Sequence, residues 1–84
     1  MCSYITEKTE ISGSAKGAGG WSNVTAAHVY YDHPFHASLD HALSIDFMSG
    51  DTTRKVAVEM SAESARALVA SILAALESGE QAHG

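Results

Sequence analysis

The feature that most constrains the fold of this chain is one amphipathic helical pattern near its C-terminus. Six apolar residues recur at intervals of three and four, the spacing of one helix face: Ala65, Leu68, Val69, Ile72, Leu73 and Leu76. Ser61 precedes them as an N-cap, Glu63 lies in the first turn, and Gly79 has the character of a C′ residue. The pattern predicts one helix that ends at Gly79, followed by a flexible tail over 80–84.

The chain before this helix has the period of β-strands. Four stretches rich in β-branched and aromatic residues predict strands, at 3–11, 21–31, 39–47 and 55–60. Glycines in 16–20 indicate a hairpin turn, and the only proline places 32–38 in a loop. The predicted fold is therefore one α+β domain over 1–79, a four-stranded antiparallel sheet in the order β-β-β-β-α with the C-terminal helix packed on one face.

Length, charge and cysteine content exclude several classes of function. Eighty-four residues leave room for one small domain, and ten acidic against five basic residues argue against a nucleic-acid partner. No apolar run approaches the ~20 residues that a membrane helix needs, and no signal-peptide pattern opens the chain. A single cysteine excludes an intramolecular disulfide and fits a reducing compartment. We expect a cytoplasmic protein that binds neither nucleic acid nor membrane.

Histidines and aspartates cluster between the second and third predicted strands. The cluster consists of His28, Asp32, His33, His36, Asp40 and His41. Neutral imidazole is the commonest protein ligand for metals, and carboxylates orient the ligand rings. Three imidazoles with one open position are typical of catalytic zinc and of several iron or copper sites. The cluster predicts a divalent transition metal (Zn, Fe or Cu) held by His33, His36 and His41, with Asp32 or Asp40 as a catalytic base or orienting group.

Two further ligands depend on details that the pattern leaves open. In one hairpin register His28 lies directly opposite His41, whereas a slip of one residue leaves His33 and His36 as the better partners of His41. Cys2 becomes N-terminal when the initiator methionine is removed, and its amine and thiol then form a chelating or nucleophilic pair. His28 and Cys2 are therefore further candidate ligands. The alternative is that these histidines are ordinary hydrogen-bonded or solvated side chains.

The second predicted strand is apolar on both sides. Ala27, Val29 and Tyr31 alternate with neighbours that are themselves small or aromatic, and one helix covers only one face of a sheet. An uncovered face with aromatic residues favours a partner, and a symmetric homodimer is the commonest solution. We therefore expect a homo-oligomer.

The chain resembles a family of short actinobacterial proteins known as a domain of unknown function. The resemblance covers nearly the whole chain and is carried by 1–4 with 6–8, 17–21, 32–34, 41–43 with 45–47, and the helix start at 61–68. It implies a complete bacterial protein but supplies neither reaction nor substrate. The opening Met1-Cys2 and the Asp32-His33-Pro34 segment belong to the family pattern, which favours a role for Cys2 and His33.

Three functions fit these observations. The leading hypothesis is a small homo-oligomeric metalloprotein that acts on a small molecule through its histidine-rich loop. A second is a metal-free enzyme of the isomerase, cyclase or lyase type, in which a His/Asp pair transfers protons. A third is a non-catalytic module whose apolar sheet face binds another protein.

Overall fold

The chain folds into one sheet and one helix. The computed structural model describes residues 6–50 and 53–83. The strands are Thr6–Gly17 (β1), Gly20–Asp32 (β2), Ala42–Met48 (β3) and Arg54–Met60 (β4), and the helix is Ala62–His83 (α1). The strands form one antiparallel sheet in the order β1-β2-β3-β4, so each strand pairs with the next along the chain. The predicted α+β class and the order β-β-β-β-α are confirmed.

The first hairpin is longer than its sequence pattern predicts. β1 continues through Gly13 to Gly17, and a register shift between Glu10 and Gly13 marks a bulge. An irregularity of this kind accommodates a glycine without ending the strand. Gly20 pairs with Gly17 to close the hairpin and has a φ of 101°, a conformation that favours glycine. The predicted turn is therefore at the right place, but the first strand is twelve residues long.

The third strand begins later than predicted. β3 starts at Ala42, which pairs with Asp32, so residues 33–41 form a loop that includes His41. The Leu39 N–H donates to the Ala37 carbonyl at 2.9 Å, a three-residue turn that is incompatible with a strand ladder. Apolar and polar residues alternate in 39–41 as they do in the strand, and period alone therefore misplaces this boundary.

The sheet has one polar and one apolar face across β2, β3 and β4. The apolar face consists of three cross-strand rows: Tyr31, Leu43 and Met60; Val29, Ile45 and Val58; Ala27, Phe47 and Val56. The polar face carries the alternating residues of the same strands: Tyr30, Ser44 and Glu59; His28, Asp46 and Ala57. The loop 33–41 reaches the polar face through Glu59, so the two faces have different neighbours.

The helix begins as predicted but ends later. Ser61 is its N-cap, because its Oγ accepts from the Ser64 N–H at 3.1 Å. Gly79 does not end it, and residues 80–83 form its last turn where a flexible tail was predicted. Among the described glycines only Gly20 has a positive φ, so Gly79 lacks the left-handed conformation of a C′ residue. A glycine inside a helix costs about 1 kcal/mol relative to alanine and is tolerated.

The helix meets the sheet at its N-terminal end, beside β3. Leu43, Ala62 and Ala65 lie around one small cleft there, whereas no residue of α1 is buried. The helix therefore buries less of its apolar stripe against the sheet than the sequence predicts. Within the described residues, α1 is not long and apolar enough to cross a membrane.

Candidate functional site

The floor of the candidate site is a polar cluster on β2, β3 and β4. The Tyr30 hydroxyl donates to Asp46 Oδ2 at 3.2 Å, and the Arg54 guanidinium lies 3.8 Å from the same oxygen. Asp46 is placed here by strand alternation, which turns it away from the apolar Ile45 and Phe47 on either side. Because Arg54 is more than half exposed, its ion pair with Asp46 contributes little to stability but fixes a cation beside the carboxylate.

Two adjoining clefts open above this cluster. The larger has a volume of about 610 Å³ and the smaller about 370 Å³. Both are lined by the same four residues, Tyr30, Phe35, Asp46 and Arg54. His36 and Ser44 line only the larger cleft, whereas His28, Asp32 and His33 line only the smaller. The combined space is in the range of small-molecule sites.

One oxygen of Asp46 has no partner within the described part of the chain. Asp46 Oδ1 is buried and accepts no hydrogen bond there, although Oδ2 is engaged by Tyr30. Buried polar atoms in native proteins are nearly always paired, and an exception indicates a water, an ion or a ligand. The cluster therefore offers one free acceptor beside one hydroxyl and one guanidinium.

Tyr30 keeps its proton over the whole neutral range. Burial raises the pKa of its hydroxyl above the usual 10.0, and the charge of Asp46 and the hydrogen bond to it act in the same direction. The nearby Arg54 lowers the pKa, but this effect is smaller. A smaller lowering comes from the side-chain hydrogen bond with Ser44, and Tyr30 is thus a hydrogen-bond donor to Asp46.

A single carboxylate holds the loop that walls the larger cleft. Glu59 on β4 accepts hydrogen bonds from the backbone N–H groups of Phe35, His36 and Ala37, the latter two at 3.1 Å. These backbone hydrogen bonds lower the pKa of Glu59 below its usual value, with those from Phe35 and Ala37 the largest causes. The side chain of Phe35 is not packed by this arrangement and is 84% exposed. Glu59 therefore fixes the backbone of the loop and leaves Phe35 at its rim.

The histidine cluster forms a stack. The rings of His33 and His41 have centroids 4.9 Å apart and planes 24° apart, and Tyr31 also stacks on His41, with centroids 5.6 Å apart. The register that puts His28 opposite His41 is wrong, because His28 pairs with Asp46 on β3 and with Lys8 on β1. The alternative register, in which His33 is a partner of His41, agrees with the observed contact between these two rings.

The two predicted aspartates act on His33 through local hydrogen bonds. Asp32 Oδ1 accepts from the His33 N–H at 2.8 Å. His33 Nδ1 lies 3.2 Å from the main-chain carbonyl of Asp40, so Asp40 orients the ring without its carboxylate. His36 lies apart from the stack, and its N–H donates to Glu59.

The stack does not converge on a common point. Imidazole binds metals through nitrogen lone pairs that lie in the ring plane, and nearly parallel rings direct these lone pairs side by side. Within residues 6–50 and 53–83, no three His, Cys, Asp or Glu side chains form a group that could hold a metal ion. Cys2 lies outside the described residues. Metal binding by His28, His33, His36, His41 or Cys2 stays a prediction.

Sequence reasoning singled out the histidines and missed the residues at the floor of the clefts. Asp46 occupies a strand between Ile45 and Phe47, and a charged residue in the middle of an apolar alternation is a signal for a polar site on the opposite face. Arg54 and Glu59 carry no such signal, because charges on a short strand next to a turn are ordinary surface residues. Only the register of β4 against β3 brings them to the site.

Comparison with known proteins gives a family and no activity. The model of a family of unknown function, DUF6295, matches residues 1–84, which is the whole chain. The chain belongs to the DUF6295 family. Neither a curated protein nor a solved structure matches it. The predicted membership of a family of unknown function is confirmed, and the case for a function of this DUF6295 chain depends on the geometry of its own residues.

Proposed function

We propose that this DUF6295 protein binds a small molecule in the two clefts of its polar sheet face. The observation that carries the proposal is Asp46 Oδ1, a buried acceptor with no hydrogen-bond partner among the described residues. An unpaired buried acceptor costs about 1–3 kcal/mol, so a bound molecule that donates to this oxygen regains that free energy. Asp46 also lines both clefts, which makes it the natural centre of the binding site.

The surrounding groups define the chemistry of the ligand. An N–H or O–H group of the ligand donates to Asp46 Oδ1, and an adjacent carbonyl or hydroxyl oxygen accepts from Arg54. Phe35 and Ala37 supply apolar contact in the larger cleft. The ligand is therefore a small amide, amine or alcohol with an apolar part, in which the donor and the acceptor lie close together.

A screen by NMR tests this proposal. Small amides and amines are compared with carboxylic acids of the same carbon skeleton, and ¹H–¹⁵N chemical shifts of the protein are recorded. The donors are expected to shift the backbone signals of Tyr30, Asp46 and Ala57, whereas the acids are not. Asp46→Asn should lower the affinity for the best donor compound at least about tenfold, which corresponds to about 1.4 kcal/mol of binding free energy.

Asp40→Asn is the matched control for this screen. Among the described residues, Asp40 meets His33 through its main-chain carbonyl, and it lines neither cleft, so its variant should bind within about twofold of the wild type. The proposal is wrong if no donor shifts these signals, or if Asp46→Asn and the wild type bind the same compounds equally well.

Proton transfer in the same clefts is a second candidate function. The register places His28 directly opposite Asp46, so their Cβ atoms lie about 5 Å apart and a base and a proton carrier share one floor. This pair is a further candidate for the His/Asp centre of a metal-free isomerase, cyclase or lyase, and the roles of Asp32 and Asp40 stay predictions. Turnover of a screened ligand that is lost in both His28→Gln and Asp46→Asn and survives chelation would establish this activity.

A further inference from the structure

Residues 6–50 and 53–83 leave the apolar half of this molecule largely uncovered. We infer that a second copy covers it, in a symmetric dimer in which α1 of each copy lies across the apolar sheet face of the other. The ligand proposed above lies on the opposite face of the sheet, so the dimer is independent of that proposal.

The first surface is the apolar stripe of α1. Its five large residues are between 41% and 62% exposed: Leu68, Val69, Ile72, Leu73 and Leu76. Beyond the contact of the first turn with the sheet, nearly every helix residue is exposed. An isolated helix of this composition is marginal in water, and most of the stability of an amphipathic helix comes from packing of its apolar face.

The second surface is the apolar face of the sheet. Val29, Ile45 and Val58 form its central row, and each of them is only partly buried. Across the described residues, the buried apolar side chains are only Val24, Ala27 and Ala42. A chain that is 45% hydrophobic thus leaves the large side chains of its sheet face in contact with water.

The accessible surface of the chain is larger than that of a compact protein of the same mass, as expected for a chain that buries part of its surface in a dimer. The chain exposes 6369 Å², whereas a compact protein of 8.8 kDa exposes about 4,800 Å². Its radius of gyration is 14.4 Å, against about 12 Å for a compact domain of this length. The excess of about 1,600 Å² per chain is larger than the ~800 Å² that each partner buries in a standard stable interface.

Within the described residues the two surfaces meet only at the N-terminal end of the stripe, where Ala65 and Leu43 line the same small cleft. The stripe from Ala65 to Leu76 is about 17 Å long, and the three strands of the apolar face span about 10 Å between their outer axes, so the stripe is long enough to cross the face. Ser61 alone connects β4 to α1, and its carbonyl accepts from the Ala65 N–H at 2.9 Å. The helix therefore begins directly after β4, and beyond its first turn nearly all of its residues are exposed. A twofold axis brings each helix to the sheet of the other copy and covers both surfaces in one isologous contact.

The mass of the protein in solution tests the inference first. Sedimentation equilibrium of the full chain is expected to give twice the 8.8 kDa of the monomer, and the Tm should rise with protein concentration. Leu73→Glu, in the stripe, should shift the protein to the monomer mass or lower its Tm. Ala74→Glu adds the same charge on the opposite side of the helix and should leave mass and Tm unchanged. A wild type of monomer mass with a Tm independent of concentration would overturn the inference.

Cysteine pairs distinguish the proposed arrangement from other dimers. In a Cys2→Ser background, Leu73→Cys is combined in turn with Val29→Cys, Ile45→Cys or Val58→Cys and oxidised. At least one combination should give a disulfide-linked dimer on a non-reducing gel, and Leu73→Cys alone should not. If Leu73→Cys alone cross-links as well as the cysteine pairs do, the two helices contact each other. If Leu73→Glu leaves the dimer unaffected, the copies contact through another surface. Either result overturns the proposed arrangement.

Discussion

The two faces of the same sheet differ in what a single chain supplies to them. The polar face carries its own cover, because Glu59 accepts three N–H groups of the loop 33–41. Among the residues that the structure describes, the apolar face has the first turn of α1 beside it, and its central residue Ile45 is incompletely buried. Hydrogen bonds are local and directional, and nine loop residues are enough to satisfy them. Hydrophobic burial scales with area, and 84 residues do not provide enough area for both faces.

The largest expected effect comes from a polar residue on the apolar face. Val58→Asn places an amide where the partner's helix packs in the dimer, and we expect a loss of about 2–4 kcal/mol in the free energy of unfolding. Val58 is partly exposed in the single chain, so a protein that never associates would lose much less. Denaturant unfolding at two protein concentrations measures this difference.

Ala57→Asn is the matched control for that experiment. Ala57 is the preceding residue of β4, lies on the polar face and is exposed, so the same amide should cost less than about 0.5 kcal/mol. Equal losses in the two variants would mean that the faces do not differ as described.

A smaller effect is expected at the anchor of the loop. Glu59→Gln replaces a carboxylate with a neutral amide, and charge-assisted hydrogen bonds are roughly twice as strong as neutral ones. The amide protons of Phe35, His36 and Ala37 should then exchange at least about tenfold faster, while those of β2 and β3 stay protected. Glu77→Gln on the exposed part of α1 is the control. Unchanged exchange in Glu59→Gln would show that another contact holds the loop.

The same anchor predicts a pH dependence with a definite sign. Because the pKa of Glu59 is lower in the folded protein than its ordinary 4.5, its contribution is present above that value and is lost as pH falls through the lower folded value. Exchange of the loop amides, corrected for the intrinsic rate, should therefore increase below about pH 4.5. In Glu59→Gln this pH step should be absent.

The smallest effect on folding is expected from the histidine stack. His33→Ala/His41→Ala alters solvent-exposed loop residues, and without metal it should change the free energy of unfolding by less than about 0.5 kcal/mol. The metal hypothesis predicts about one zinc, iron or copper ion per chain in tag-free protein purified without chelator, and none in this variant. Elemental mass spectrometry measures the metal content, with His83→Ala as control. A wild type that takes up none of these ions after incubation would refute the metal site.

The elements predicted from period are present, whereas their ends differ wherever period is a weak guide. The N-cap at Ser61 is confirmed because its signal is local and chemical. The first strand is predicted to end at residue 11 and the helix at Gly79, but β1 continues through Gly13 and α1 through Gly79, because one glycine costs less than the neighbouring hydrogen bonds supply. His41 was expected in β3 and lies in the loop, where it stacks on His33.

The sequence by itself determined the class of the fold, the order of its elements and the presence of an apolar stripe on α1, because these follow from short-range periodicity and capping. The tertiary structure decided which chemistry-bearing residues meet. It brings Tyr30, Asp46 and Arg54 to one floor and leaves His36 apart from the stacked histidines. These contacts depend on the register of β2, β3 and β4, and a shift of one residue exchanges the faces of a whole strand. Composition and period do not set that register, whereas the packing of the complete sheet does.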